Sequence, residues 1–186
     1  MIRVLCIADR PAPEPLDLLV ECNGAELVLC LGDLGPFELP GLERVTVPKL
    51  GVHGNHCGHY FEAFGIADLH LRTGSFKGVR FGGFEGSHRY KPDGAYQYTQ
   101  AEAEALLASF PPVDVLVCHS PPYGINDEPD ELAHVGFHAL RAYLDRARPR
   151  YLLHGHTDPC EAARIDRYRD TEIVYVHGVR LVELDL

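Results

Sequence analysis

No stretch of this chain approaches the roughly 20 consecutive apolar residues that a membrane-spanning helix requires. The opening residues, Met1-Ile2-Arg3-Val4-Leu5, run straight into a strand pattern and lack the apolar core and cleavage site of a signal peptide. A cytoplasmic protein that does not engage a membrane is therefore expected. Basic residues are scarce: 17 Lys and Arg stand against 27 Asp and Glu, a formal net charge of −10. Without a basic patch to displace counterions, a nucleic-acid coat is disfavoured. A phosphate substrate is not, because bound cations reverse the sign of an acidic site. The six cysteines (Cys6, Cys22, Cys30, Cys57, Cys118, Cys160) form no C-x-x-C pair. Cys6, Cys30 and Cys118 fall inside apolar strands and read as reduced, small hydrophobes. A G-x-S-x-G elbow, a Walker loop, a dinucleotide fingerprint, repeats and low-complexity segments are all absent from the sequence.

What remains is an ordinary globular composition, 46% hydrophobic and 24% charged over 186 residues, which predicts a single domain over 1–186. The patterning predicts a strand at Ile2–Ala8, a short helix near Leu16–Cys22 and a buried strand at Glu26–Leu31. Strand pieces follow at Arg44–Val47 and Leu50–His53, then a helical turn at Tyr60–Phe64 and a hairpin within Ser75–Phe84 around Lys77-Gly78. Gly82–Gly94 reads as a glycine-rich loop. Thr99 caps a helix over Ala101–Ser109, ended by Pro111-Pro112. Val113–Cys118 is a buried strand, Ser120–Ala133 a long polar loop suited to binding, and Gly136–Ala147 a helix. Strands at Glu161–Ile165, Glu172–Val176 and Val179–Leu184 close the chain, the last two joined as a hairpin at His177-Gly178. Early alternation of strands and helices, with late antiparallel pieces, argues for a layered α/β fold of two mixed sheets flanked by helices.

Five strands end on residues able to bind a metal: Asp9, Asp33, Asn55-His56, His119, and His154-Gly155-His156. Loops at the carboxyl ends of strands are where α/β proteins gather their ligands. Taken singly, Asp9, Asp33 and Asn55 are also what a turn places there, and His119 and His156 could be satisfied core histidines. Taken together, carboxylate, amide and imidazole donors suit a catalytic divalent ion. His53, His56 and His59 with Cys57 offer a second, separate metal-binding combination. His154 reads as packing or support.

The stretches Asp9-Arg10-Pro11, Gly32-Asp33, Gly54-Asn55-His56-Cys57, Cys118-His119 and Gly155-His156-Thr157-Asp158 follow a known order. The chain resembles the calcineurin-like metallophosphoesterase family, whose order is D-x-H, G-D, G-N-H-D/E, H and G-H-x-H. His119-Ser120-Pro121-Pro122-Tyr123-Gly124 is also similar to the H-x-P-P-x-G loop of its small members. The resemblance implies a four-layer αββα sandwich and hydrolysis of a small phosphodiester or phosphomonoester by metal-bound hydroxide. It implies Asp33, Asn55, His119 and His156 at one metal, Asp33 shared, and Asp9 with Asp158 at the other. His56 matches the catalytic histidine and is expected to protonate the leaving oxygen. Pro11 replaces one histidine ligand, Asp158 another, and Cys57 the acid that orients the catalytic histidine. One or two divalent ions are therefore expected, Mn²⁺ first, with Fe, Zn, Ni or Mg as alternatives. Arg10, His88, Arg89 and His134 are candidate substrate contacts, against exposed salt bridges and solvated loops. The altered motifs also keep open a weakly catalytic or inactive scaffold, or a phosphate or nucleotide sensor.

Overall fold

In the computed structural model, which describes residues 1–185, the first strand sets the architecture. Along β1 (Ile2–Ala8) every residue except Arg3 is buried, so both of its faces must be covered. Ile2, Val4, Cys6 and Ala8 enter one apolar cluster. Leu5 and Ile7 enter another on the opposite side. The same alternation runs through β2 (Leu27–Cys30), with Leu27 and Leu29 inward and Val28 and Cys30 outward.

The chain continues through α1 (Leu16–Asn23, between β1 and β2), β3 (Lys49–Gly51), α2 (Phe61–Phe64), β4 (Ile66–Asp68), β5 (Thr73–Phe76) and β6 (Val79–Phe84). It then forms β7 (Ser87–His88), β8 (Gln97–Tyr98), α3 (Gln100–Leu107), β9 (Val115–Cys118), α4 (His138–Ala147) and β10 (Tyr151–His154). β11 (Arg167–Tyr168), β12 (Thr171–Tyr175) and β13 (Gly178–Leu184) complete it. Five strands form one sheet in the order β13-β1-β2-β3-β4, and six form a second, β11-β12-β10-β9-β6-β5. Both are mixed: β1 to β4 run parallel with β13 antiparallel, and β6, β9, β10 and β12 run parallel with antiparallel edges.

The two sheets pack face to face through Val4, Leu29, Phe81, Val117 and Leu153. Leu16 of α1, with Leu42 and Phe61, covers the outer face of the first sheet. Ala103 and Leu107 of α3 and Leu140 and Leu144 of α4 cover the second. The result is the expected layered α/β sandwich, with helices outside two mixed sheets. Thr99 caps α3 through a reciprocal pair: its Oγ1 accepts the Glu102 N–H at 3.2 Å, and its own N–H reaches Glu102 Oε2 at 2.7 Å. Among the described residues no helix is long and apolar enough to cross a membrane.

Four expectations change. Arg44–Val47 is no strand; a 3₁₀ turn, Leu42–Arg44, leads into a loop whose Val45 packs on the outer face of the first sheet. Glu161–Ile165 is a 3₁₀ turn at Glu161–Ala163 and then a loop, and the neighbouring edge strand is β11. The Gly82–Gly94 region is less loop-like than its glycines imply: β6 extends to Phe84, and Ser87–His88 pairs with Gln97–Tyr98. His177-Gly178 is not a hairpin. β12 pairs with β10 in one sheet and β13 with β1 in the other, so the chain crosses between sheets at that point.

Candidate metal centre

β1, β2, β9 and β10 are buried strands whose carboxyl ends bring Asp9, Asp33, His119 and His156 together. Three of these four hold left-handed backbone conformations that side chains rarely adopt: Asp9 at φ 61°, Asp33 at φ 53° and His156 at φ 72°. Such strain persists only where the surroundings over-determine it, and it gathers at functional sites. Gly32 allows the turn. At φ +100° it favours glycine, and a Cβ there would lie 2.4 Å from the Gly54 nitrogen and 2.7 Å from His119 Nδ1.

Asp33, His119 and His156 bring ligand atoms within 4.8 Å of one another, a group able to hold a metal ion. His119 is fully buried, and its Nδ1 donates to the Leu31 carbonyl at 2.8 Å. That leaves Nε2 facing Asn55 Oδ1 at 3.2 Å and Asp33 Oδ2 at 3.4 Å. The Asn55 oxygen is turned that way because its Nδ2 donates to Tyr90 Oη at 3.2 Å. The outer nitrogen of His156, Nε2, donates to the Ala133 carbonyl at 2.7 Å, leaving Nδ1 as its ligating atom. The His119 and His156 rings lie 4.7 Å apart. Two imidazoles whose outer N–H groups are pinned on carbonyls have the orientation that metal-binding histidines adopt.

The donors fit a cation. A carboxylate oxygen, an amide oxygen and an imidazole lone pair converge around the buried His119, and none of the three has a hydrogen of its own to share. They repel unless something positive stands between them, be it a metal ion or a proton. Burial disfavours a charged His119, yet the charge of Asp33 and its hydrogen bond hold the imidazole above its ordinary value. Burial likewise opposes ionisation of Asp33, but the charge and hydrogen bond of His119, with the His56 N–H, bring its carboxyl far below the usual range. His156 goes the other way, down to about 3, first through burial and then through the charge of His119. A carboxylate kept ionised beside a neutral imidazole is a ready ligand pair.

The remaining candidates lie around this group. Asp9 Oδ2 accepts the His156 N–H at 3.0 Å, and burial pushes its carboxyl up. His177, which no motif in the chain marks, joins them: its Nδ1 is 4.0 Å from Asp9 Oδ2, and its Nε2 accepts from Arg10 Nε at 3.0 Å. Asp158 is exposed and receives the Tyr175 hydroxyl at 3.4 Å; it does not join the tight group. His134 reaches the rim, its ring 5.0 Å from that of His156 and its Nδ1 2.7 Å from Glu128 Oε2. His88 Nδ1 is tied to the Leu132 carbonyl at 3.1 Å. Arg89 is engaged elsewhere, on the Gln97 carbonyl at 3.0 Å and on Glu102 at 2.9 Å.

His56 is exposed at the rim, with its N–H on Asp33 Oδ1 at 2.8 Å. Its Nε2 lies 3.4 Å from Tyr90 Oη, so a tyrosine stands where an acid was expected. Cys57 does not face that ring at all. Its sulfur accepts the backbone N–H groups of Asp33 at 3.1 Å and Gly54 at 3.0 Å, fixing the two turns against each other. His154 is fully buried and neutral: Nε2 accepts from Asn126 at 3.0 Å, Nδ1 donates to the Gly155 carbonyl at 3.1 Å, and burial lowers it to about 4.

The sequence matches no protein-family model and no curated protein. Solved structures share the fold. One crystal structure aligns with a TM-score of 0.66 at 15% identity, covering 98% of this chain and 99% of that one. The crystal structure of TT1561 of Thermus thermophilus aligns with a TM-score of 0.51 at 15% identity, over 83% of this chain and 81% of that one. At that identity the likeness is one of architecture.

Proposed function

We propose that this protein is a cytoplasmic, metal-dependent phosphoester hydrolase of the calcineurin-like metallophosphoesterase type, acting on a small phosphodiester or phosphomonoester. One observation carries the reading: the lone pairs of His119 and His156 converge on an ionised Asp33, with the outer nitrogen of each ring already committed to a carbonyl. Asp33, Asn55, His119 and His156 would hold a divalent cation, Mn²⁺ first, and Asp9 with Asp158 a second. A cation bound there supplies charge for the phosphoryl oxygens and acidifies water.

The chain's own residues do the rest. His119 forms the buried floor of the site, while the rim stays open at His56, which keeps the site accessible to a compact ester. His56 gives its proton to the departing oxygen, and Tyr90 Oη fixes the ring that carries it. Arg10, whose Nε donates to His177, would offer its remaining N–H groups to a phosphoryl oxygen. A second reading, a phosphate or nucleotide sensor that hydrolyses poorly, draws on one observation: Asp158 stands apart from the tight group. Hydrolysis of a chromogenic phosphodiester with added Mn²⁺, before and after chelation, separates the two. Asp33→Ala is expected to lose the metal held by Asn55, His119 and His156, and activity with it. Full metal retention without activity would refute the role given to Asp33.

A further inference from the structure

His53, Asp68 and Glu85 form a second group whose ligand atoms all lie within 4.8 Å of one another. His53 follows β3, Asp68 ends β4 and Glu85 follows β6, so the first two belong to one sheet and the third to the other. We propose that this group is a further metal site, separate from the Asp33 pocket, holding one divalent transition-metal ion that clips the two sheets together beside the Asn55 turn. It does not depend on the hydrolase reading.

The geometry of His53 carries the inference. Its Nδ1 is buried and has no hydrogen-bond partner. Glu85 Oε2 lies only 3.3 Å away, yet off the line a hydrogen bond needs. Two donors about 2.0–2.1 Å from a tetrahedral ion are separated by about 3.3 Å, so this spacing is that of two ligands around a third body. The ring is not free to turn onto the carboxylate. It stacks on Phe61 with centroids 3.9 Å apart and on Tyr96 at 4.7 Å.

The carboxylates are held for the same purpose. Glu85 is 7% exposed, and its Oε1 accepts the Tyr98 hydroxyl at 2.6 Å, which leaves Oε2 for the ion. His70 supports both acids: its Nδ1 accepts the Glu85 N–H at 3.1 Å, and its own N–H reaches Asp68 Oδ1 at 2.9 Å. Outer partners of this kind orient ligating groups. Arg72 meets Asp68 Oδ2 at 3.6 Å from the exposed side, and a dication would give the buried His53 nitrogen the partner it lacks. A cavity of about 290 Å³, lined by His53, His59, Tyr60, Phe61, Glu62 and Asp68, gives the ion an entry path and room for a water. His56 and Cys57 take no part, since the one faces Tyr90 and the other the Asp33 and Gly54 amides.

The test uses the full chain with Asp33→Asn, to silence the first group, alone and combined with Glu85→Gln or Asp68→Asn. Equilibrium dialysis against Zn²⁺, followed by elemental counting, is expected to leave one ion on Asp33→Asn. Affinity should fall roughly 100-fold or more in either double variant, beyond what losing an outer-shell partner costs. Because Glu85 is buried and its variant can unfold, the partly exposed Asp68→Asn is read by melting as well. Zn²⁺ should raise the melting temperature of Asp33→Asn but not of Asp33→Asn/Asp68→Asn. Equal Zn²⁺ binding, or an equal rise in melting temperature, with and without Asp68 would overturn the proposal.

Discussion

Gly54→Ala tests the first metal centre through its backbone. A Cβ at Gly54 would lie 2.2 Å from Asp33 Oδ1, 2.4 Å from the Asp33 nitrogen and 2.7 Å from His119 Cε1. Ordinary contact begins near 3.4 Å, so the Asp33 carboxylate must retreat by about 1.2 Å. The Asp33 nitrogen must shift as well, which strains its N–H bond to Cys57 Sγ at 3.1 Å. Overpacking of this kind costs about 1–3 kcal/mol of stability, so the fold survives in a domain of ordinary stability. A 1 Å displacement at a reacting centre costs about 100-fold in rate. Mn²⁺ affinity, measured by calorimetry, should fall about tenfold or more, which corresponds to about 1.4 kcal/mol. Gly58→Ala is the control: a Cβ there meets nothing within 4 Å, and melting, metal affinity and rate should be unchanged. A Gly54→Ala protein that melts lower but binds Mn²⁺ and hydrolyses phosphodiester like the parent would refute the placement of Asp33 at the centre.

Three further outcomes follow from the geometry. His56→Ala should keep its metal while kcat falls by about 10²–10⁴, and Tyr90→Phe, which releases the Asn55 amide as well as the His56 ring, should weaken metal binding by about 10–100-fold; elemental counting beside kinetics checks both, and loss of metal in His56→Ala would contradict the rim assignment. His154, satisfied only when neutral and lowered to about 4, makes the metal-free protein sensitive to acid. A lowered imidazole means that the unfolded chain binds the proton more readily, so stability from this group is full above about pH 6.5 and falls as pH drops toward 4, by roughly 3 kcal/mol in all. Urea titrations across that window should show the loss, and a flat profile would remove the role given to burial at His154.

The strand endings are legible because a buried strand must alternate on both faces and then stop at a turn, and both signals are local. Asp9, Asp33, Asn55, His119 and His156 can therefore be named without knowing their distances. His177 cannot. Its neighbourhood depends on β12 and β13 joining different sheets, and the local sequence of that crossing looks the same as a hairpin turn. Tyr90 lies within the glycine-rich stretch Gly82–Gly94, and its place beside His56 comes from the pairing of β7 with β8, two residues each. Cys57 reads as a poor substitute for an acid, and in the fold its sulfur serves the backbone instead of the histidine. Val45 and Val47 carry a strand pattern into a loop because the outer face of the first sheet needs cover there.

The most direct measurement is anomalous diffraction from crystals soaked in Mn²⁺ at neutral pH. A peak is expected about 2.0–2.2 Å from Asp33 Oδ2, His119 Nε2 and His156 Nδ1, with Asn55 Oδ1 completing the shell. Ordered crystals saturated with Mn²⁺ that show no peak among these four residues would contradict the account.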